Sequence, residues 1–187
     1  YNTSSISSTT SWLLFSITLF FKPKIICEVG SFIGKSTFSM AFAADIYSKE
    51  YECSIYCCDI SNEINFPNIT STTIKQFHKK NSTEMFKHFE SDQKIDLLHL
   101  DGRLQNEDFD LLKNSLTEKT ILILDDFEGN EKGVINFINL LNNNLISRKS
   151  HCLIFPIQDE TKAKYNLLER STSGVLIPLK SLIITTQ

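Results

Sequence analysis

A chain of 187 residues, 41% apolar and 22% charged, has the length and composition of one globular domain, which excludes a disordered, collagen-like or fibrous protein. Its net charge of −3 comes without a basic block, so no nucleic-acid footprint is present and a small or neutral partner is expected. Only six glycines occur, about half the usual ~7% share, so their positions are informative.

In chain order, Trp12 to Phe21 is apolar but too short to cross a membrane, which takes about 20 residues, and no signal-peptide charge precedes it. It is expected to form a helix packed on the domain, and its aromatic side chains suit a second copy of the chain equally well. Ile25 to Val29 is the first strand-like run, followed by a helical pattern from Lys35 to Lys49. Ser54 to Cys58 forms a second run ending at Asp59, and Thr73 to His78 a weaker third, with a short helix over Ser82 to Phe89. Ile95 to Leu100 and Thr120 to Leu124 are the fourth and fifth runs, each followed by a helix, Asn106 to Leu116 and Lys132 to Leu141. Two late strands, His151 to Ile157 and Val175 to Thr185, flank a polar, partly helical piece, Asp159 to Arg170.

Short, nearly continuous apolar strands alternating with helices predict an α/β doubly wound domain around a mostly parallel sheet buried on both faces. The late strands are expected to close one edge as an antiparallel pair. The domain divides into an N-terminal helical segment (1–22), a core (23–145) and C-terminal edge strands (146–187). The five cysteines, Cys27, Cys53, Cys57, Cys58 and Cys152, lack paired spacing and a zinc pattern, so reduced, buried thiols in a cytoplasmic protein are expected.

Ligands of open α/β sheets bind outside the carboxyl ends of the strands. Strand one opens there into Glu28-Val-Gly30-Ser31-Phe32-Ile33-Gly34-Lys35-Ser36-Thr37, strand two ends at Asp59, strand four at Asp101-Gly102 and strand five at Asp125-Asp126. Gly30, Gly34, Gly102, Gly129 and Gly133 all fall at these ends. A phosphate-binding P-loop requires four residues between its glycines, and Gly30 and Gly34 enclose three; the dinucleotide fingerprint fails because Phe32 stands at its second glycine. The remaining pattern, ExGxxxG with an acid ending the next strand, allows close backbone approach to an adenosyl ligand while Asp59 accepts from ribose hydroxyls. Local readings stand beside these: Asp125-Asp126 and Ser36-Thr37 as helix caps, Asp101-Gly102 as a turn, and His99 as a packed core histidine.

Residues 27–37 (CEVGSFIGKST), Tyr56 to Asp59, Ile95 to Gly102 (IDLLHLDG) and Ile121 to Gly129 (ILILDDFEG) resemble, in order, the motifs of class I S-adenosylmethionine-dependent methyltransferases. The last two are similar to metal-dependent O-methyltransferases of macrolide-sugar and catechol type. The resemblance implies a seven-stranded sheet with helices on both faces. It places Glu28, Gly30, Ser31, Gly34 and Ser36 along the methionine part of S-adenosylmethionine, with Phe32 in the same loop, Asp59 at the ribose, and Asn81 and Ser82 near adenine. Asp101 would meet the cofactor, serve catalysis and, with Asp125 and Asp126, hold Mg²⁺, a hard cation suited to carboxylate oxygens. The acceptor would be a hydroxyl of a small molecule. Relatives often carry a histidine shortly after the strand-four glycine, where Arg103-Leu104 stands here, leaving proton removal to the metal, Glu107, Asp108 or Glu128. A P-loop-like nucleotide hydrolase and a non-catalytic adenosyl-binding domain are the alternatives.

Overall fold

The structure is a computed structural model that describes residues 6–48, 52–61, 65–89, 92–127, 130–147, 149, 151–154 and 173–182. Its seven strands are β1 (Ile25–Val29), β2 (Ser54–Asp59), β3 (Thr73–His78), β4 (Leu97–Leu100), β5 (Ile121–Leu124), β6 (His151–Ile154) and β7 (Gly174–Pro178). They form one sheet in the order β3-β2-β1-β4-β5-β7-β6. The first five strands pair in parallel, and β7 runs antiparallel between β5 and β6, which gives the expected antiparallel edge. The order reverses at β1 and β4, so a crevice opens between their carboxyl ends.

Alternation along the strands fills two cores. Cys27, Val29, Leu98, Leu100, Leu122 and Leu124 point to one face, where Phe109 and Leu112 of α4 (Asn106–Ser115) and Leu140 of α5 (Lys132–Asn142) cover them. Ile26, Ile55, Leu97 and Ile123 point to the other, covered by Leu14 and Ile17 of α1 (Ser8–Phe21) and by Met40, Ala41 and Ala44 of α2 (Lys35–Tyr47). Each fully buried Leu or Ile contributes about 1.5–3 kcal/mol, which is why the strands are apolar without interruption. The α1 helix starts at Ser7, whose hydroxyl accepts from the Thr10 N–H at 2.9 Å, and stops at Lys22, left-handed at φ 49° just before Pro23. Trp12 and Phe20 face outward from it.

The remaining departures from expectation have local causes. The last strand ends at Pro178, which has no N–H for the ladder, and a short helix, α6 (Leu179–Leu182), follows. Strand β4 begins two residues later than expected; just before it, the Asp96 carboxylate accepts from the N–H groups of Lys24 and Ile25, at 2.8 and 3.0 Å. Helix α3 (Ser82–Phe86) is shorter than expected, and the segment Asp159 to Arg170 lies outside the described residues. All five cysteines are free; four are buried and Cys152 is half-buried. Burial pushes the Cys53 and Cys58 thiols up to about 11 and 12. No described helix is long and apolar enough to cross a membrane.

Asp45, on α2, ties that helix to the entry of β3. It accepts from the N–H and hydroxyl groups of Ser71 and Thr72 at 2.6–3.1 Å. Desolvation opposes ionisation, but these hydrogen bonds from Thr72 and Ser71 outweigh it and hold the carboxyl below its ordinary 3.8. Asp45→Ala is therefore expected to destabilise the fold by about 1–3 kcal/mol at neutral pH. A depressed folded pKa contributes stability above the unfolded value and loses it as pH falls through the folded one. Denaturant unfolding of the two proteins should converge as pH drops below 3.8.

Candidate active site

The loop leaving β1 is drawn under the ends of β2 and β4. Gly30 adopts φ +93°, and a Cβ there would lie 2.7 Å from the Asp101 carbonyl carbon and 2.9 Å from the Gly102 nitrogen. Only glycine lets the two strand-end loops approach this closely. Phe32 is also left-handed, at φ 42°, a conformation costing about 1–3 kcal/mol for a non-glycine residue. Its N–H donates to Asp59 Oδ2 at 2.8 Å, which helps to hold it there. Gly34 follows at φ +85°, beneath the ring of Phe66.

The loop amides therefore face protein acceptors. The N–H groups of Gly30 and Ser31 donate to Cys58 O at 2.9 and 3.1 Å, and that of Gly34 to Ser31 O at 2.7 Å. Lys35, where a P-loop lysine would reach a phosphate, donates to Ile6 O at 2.6 Å. A phosphate cradle needs these amides converging on the ligand, so the geometry does not support the nucleotide-hydrolase alternative.

A cavity of about 420 Å³ opens beside this loop, within the size range of small-molecule sites. Asp59, Ile60, Asn81 and Ser82 lie along it, as do Gly30, Asp101 and Arg103. Asp59 Oδ1 accepts from the Ser61 N–H and hydroxyl at 2.8 and 2.6 Å. Asn81 caps α3 in a capping box with Glu84, its side-chain oxygen accepting the Glu84 N–H at 3.0 Å. The hydroxyl of Ser82 is committed to Asp108, as is that of Thr83 at 2.6 Å. Asp108 also accepts the Gln105 N–H at 2.7 Å and is fully buried, so it joins α3 to α4 and is not placed as a base. Glu107 is exposed on α4, and Glu128 lies outside the described residues.

Behind the cavity, Glu28 and His99 face each other in register on β1 and β4. Both are fully buried, His99 Nδ1 lies 3.0 Å from Glu28 Oε1, and the Thr37 hydroxyl donates to Glu28 Oε2. Burial works against protonation of His99, but the hydrogen bond and charge of Glu28, with Asp101 and Asp125 beyond, raise its pKa above 6.5. Glu28 is thus a core anchor of the strand ends, not a wall of the cavity.

The acidic trio is divided. Asp125 is buried and accepts from the Ser173 hydroxyl at 2.7 Å, which in turn lies 3.2 Å from the Thr10 hydroxyl of α1. Asp101 and Asp126 instead share the Lys132 ammonium, at 2.5 and 2.9 Å. Burial pushes Asp101 up to about 6; His99 and Lys132 oppose the rise and Asp125 adds to it. Burial also works against Lys132, yet Asp101 and Asp126 together raise its pKa. At neutral pH an Asp101 carboxyl at about 6 is mostly ionised, in keeping with the short contact to the Lys132 ammonium. The three-carboxylate Mg²⁺ site expected from the sequence is therefore not assembled, and among the described residues no group of His, Cys, Asp or Glu is arranged to hold a metal.

Of the sequence-derived candidates, Gly30, Asp59, Asn81, Ser82 and Asp101 meet at the cavity. Ser31, Gly34 and Ser36 lie buried beside it, and Phe32 is partly exposed in the same loop. Sequence reasoning missed Ile60, Arg103 and Lys132. Ile60 alone left a signal, an apolar residue directly after the strand-end acid, and it is 75% exposed at the cavity.

The sequence profile of the methyltransferase domain family matches residues 27–127. No curated protein matches the sequence. Among solved structures, the O-methyltransferase from Bacillus cereus in complex with S-adenosylhomocysteine is similar at 15% identity and a TM-score of 0.63, over 94% of this chain and 83% of that one. The O-methyltransferase TomG from Streptomyces achromogenes, involved in tomaymycin synthesis and in complex with S-adenosylmethionine, is similar at 13% identity and a TM-score of 0.60, over 93% and 81%. A methyltransferase from Podospora anserina bound to S-adenosylhomocysteine is similar at 11% identity and a TM-score of 0.55, over 93% and 80%. With its profile match, its strand order and its glycine-lined crevice, the chain belongs to the methyltransferase domain family and has the class I S-adenosylmethionine-dependent fold.

Proposed function

We propose that the protein transfers the methyl group of S-adenosylmethionine to a hydroxyl oxygen of a small molecule. The observation that carries this reading is the cavity itself, which Asp59, Asn81 and Asp101 line together. Gly30, Asp101 and Gly102 all line it, and the close approach of Gly30 to the Asp101–Gly102 main chain, where a Cβ would clash, sets the shape of that wall. The solved neighbours named as O-methyltransferases support oxygen as the acceptor atom. Residues 23–145 form the cofactor-binding core in this reading, with 1–22 and 146–187 as its surround.

When bound, the cofactor supplies an electrophilic sulfonium methyl: the sulfur–carbon bond breaks with its electron pair left on sulfur, a carbon–oxygen bond forms, and the hydroxyl proton departs. Asp59 holds the ribose, its Oδ2 having an acceptor site left beside the Phe32 N–H. Full bidentate binding displaces Ser61 from Oδ1. Ile60 supplies an apolar surface for adenine, and the Asn81 amide group is free of the cap interaction on its nitrogen side. Asp101 receives the acceptor hydroxyl and is placed to take its proton, and alignment of oxygen with methyl supplies much of the rate. The donor set at Asp101, Asp125 and Asp126 does not fit a divalent cation, so no step passes through one.

Incubation with methyl-labelled S-adenosylmethionine and a panel of catechols, phenols and sugar alcohols tests the reading. An O-methylated product is expected, and Asp101→Asn should lower kcat by roughly 10²-fold or more. Cofactor binding without transfer to any acceptor would favour the non-catalytic adenosyl-binding domain.

A further inference from the structure

Two of the three aspartates that the resemblance assigns to a divalent cation share an ammonium group. Lys132 Nζ lies 2.5 Å from Asp101 Oδ1 and 2.9 Å from Asp126 Oδ2. All three side chains are largely shielded, at 27%, 16% and 28% exposure, so solvent screens the contacts weakly. The third carboxylate, Asp125, is buried, and its Oδ1 accepts from the Ser173 hydroxyl, itself 3.2 Å from that of Thr10. Mg²⁺ requires near-octahedral oxygens at roughly 2.0–2.1 Å. Two carboxylates already neutralised by a shared ammonium do not meet that need.

The backbone anchors this arrangement. Lys132 is the first residue of α5, and the next residue, Gly133, lies so close to the preceding turn that a Cβ would sit 2.3 Å from the Asp125 carbonyl oxygen. The Gly133 N–H donates to Asp126 O at 3.2 Å. Asp126 is left-handed, at φ 53°, so the chain folds back at the residue whose carboxylate meets Lys132. The start of α5 is thus docked on the strand-five turn, and the lysine stem springs from within the acidic cluster.

We infer that Lys132 is a built-in replacement for the divalent cation, which makes this a metal-independent methyltransferase site whose acceptor end carries a fixed monocation. The inference rests on the methyl-transfer reading for its role, while the exclusion of metal stands on Lys132 alone. The ammonium positions Asp101 beside the acceptor and retains an N–H beyond its two carboxylate partners. A monocation of this kind favours an acceptor oxygen that develops negative charge, as a phenol does, over a chelating diol that needs two open metal positions.

The test titrates Mn²⁺ into the full chain by electron paramagnetic resonance, for wild type, Lys132→Ala and Lys132→Arg, with methyl transfer measured in parallel with and without EDTA. Wild type and Lys132→Arg are expected to leave Mn²⁺ free and transfer to be unchanged by EDTA. Lys132→Ala, which unmasks both carboxylates, is expected to bind Mn²⁺ roughly tenfold or more tightly than wild type. Stoichiometric Mn²⁺ binding by wild type that is lost in Asp101→Asn, or transfer abolished by EDTA and restored by Mg²⁺, would overturn the inference. Should Lys132→Ala fail to fold, the wild-type Mn²⁺ titration still decides. Failure of the methyl-transfer reading would show separately, as absent transfer with or without EDTA while Mn²⁺ stays free.

Discussion

Gly30→Ala is expected to cost the protein both stability and its cofactor. An alanine Cβ would meet the Asp101 carbonyl carbon at 2.7 Å and the carbonyl oxygen at 2.8 Å, from a backbone at φ +93°. The neighbours are main chain of an adjoining strand end, so no side chain can swing aside. The strained conformation alone costs about 1–3 kcal/mol, and relief requires the β1 loop to move off β4. That movement opens the wall on which the cofactor lies and pulls Phe32 from Asp59. Thermal unfolding should show a lowered midpoint, and calorimetry should show S-adenosylhomocysteine binding weakened by roughly 100-fold or lost. A variant that binds as wild type would mean that the ligand does not use this crevice.

Glu28→Leu is expected to have the largest effect on stability, about 3–5 kcal/mol, because it strands the partners of a buried charge. His99 Nδ1 and the Thr37 hydroxyl would both lose their acceptor inside the sheet. Glu28→Gln, which retains an acceptor and the volume, should lose less. The pH dependence tests the pairing of Glu28 with His99. His99 has its pKa raised above 6.5 in the fold, so its contribution is complete below the unfolded value and is lost as pH rises through the folded one. The stability gap between wild type and Glu28→Leu should therefore narrow on the alkaline side, as measured by denaturant midpoints across pH. A gap that widens there would mean that Glu28 is not held by an imidazolium.

The parallel core was legible because its strands are buried on both faces and therefore apolar throughout: β1, β2, β4 and β5 all lie within or overlap their sequence runs. The crevice was legible as well, since the glycines and acids of a doubly wound sheet gather at one end by topology. What was not legible is which way side chains turn once they arrive there. Glu28 sits in a cofactor motif, yet its register partner is His99, and pairing between neighbouring strands far apart in sequence leaves no local signal. Asp125 and Asp126 are neighbours in sequence, but the left-handed backbone at Asp126 sends their carboxylates to different partners. Lys132 looked like an ordinary first-turn residue because its placement depends on the Gly133 approach to the Asp125 carbonyl. The end of β7 was marked by Pro178, a stop that its apolar flanks obscured.

The most direct test of the central claim, that the β1–β2–β4 crevice is an adenosyl-methionine site, is calorimetric titration of the purified chain with S-adenosylhomocysteine and separately with ATP. Saturable heat with S-adenosylhomocysteine at one site per chain, greatly weakened by Asp59→Ala, and none with ATP is the predicted result. Heat with ATP and none with S-adenosylhomocysteine would contradict it.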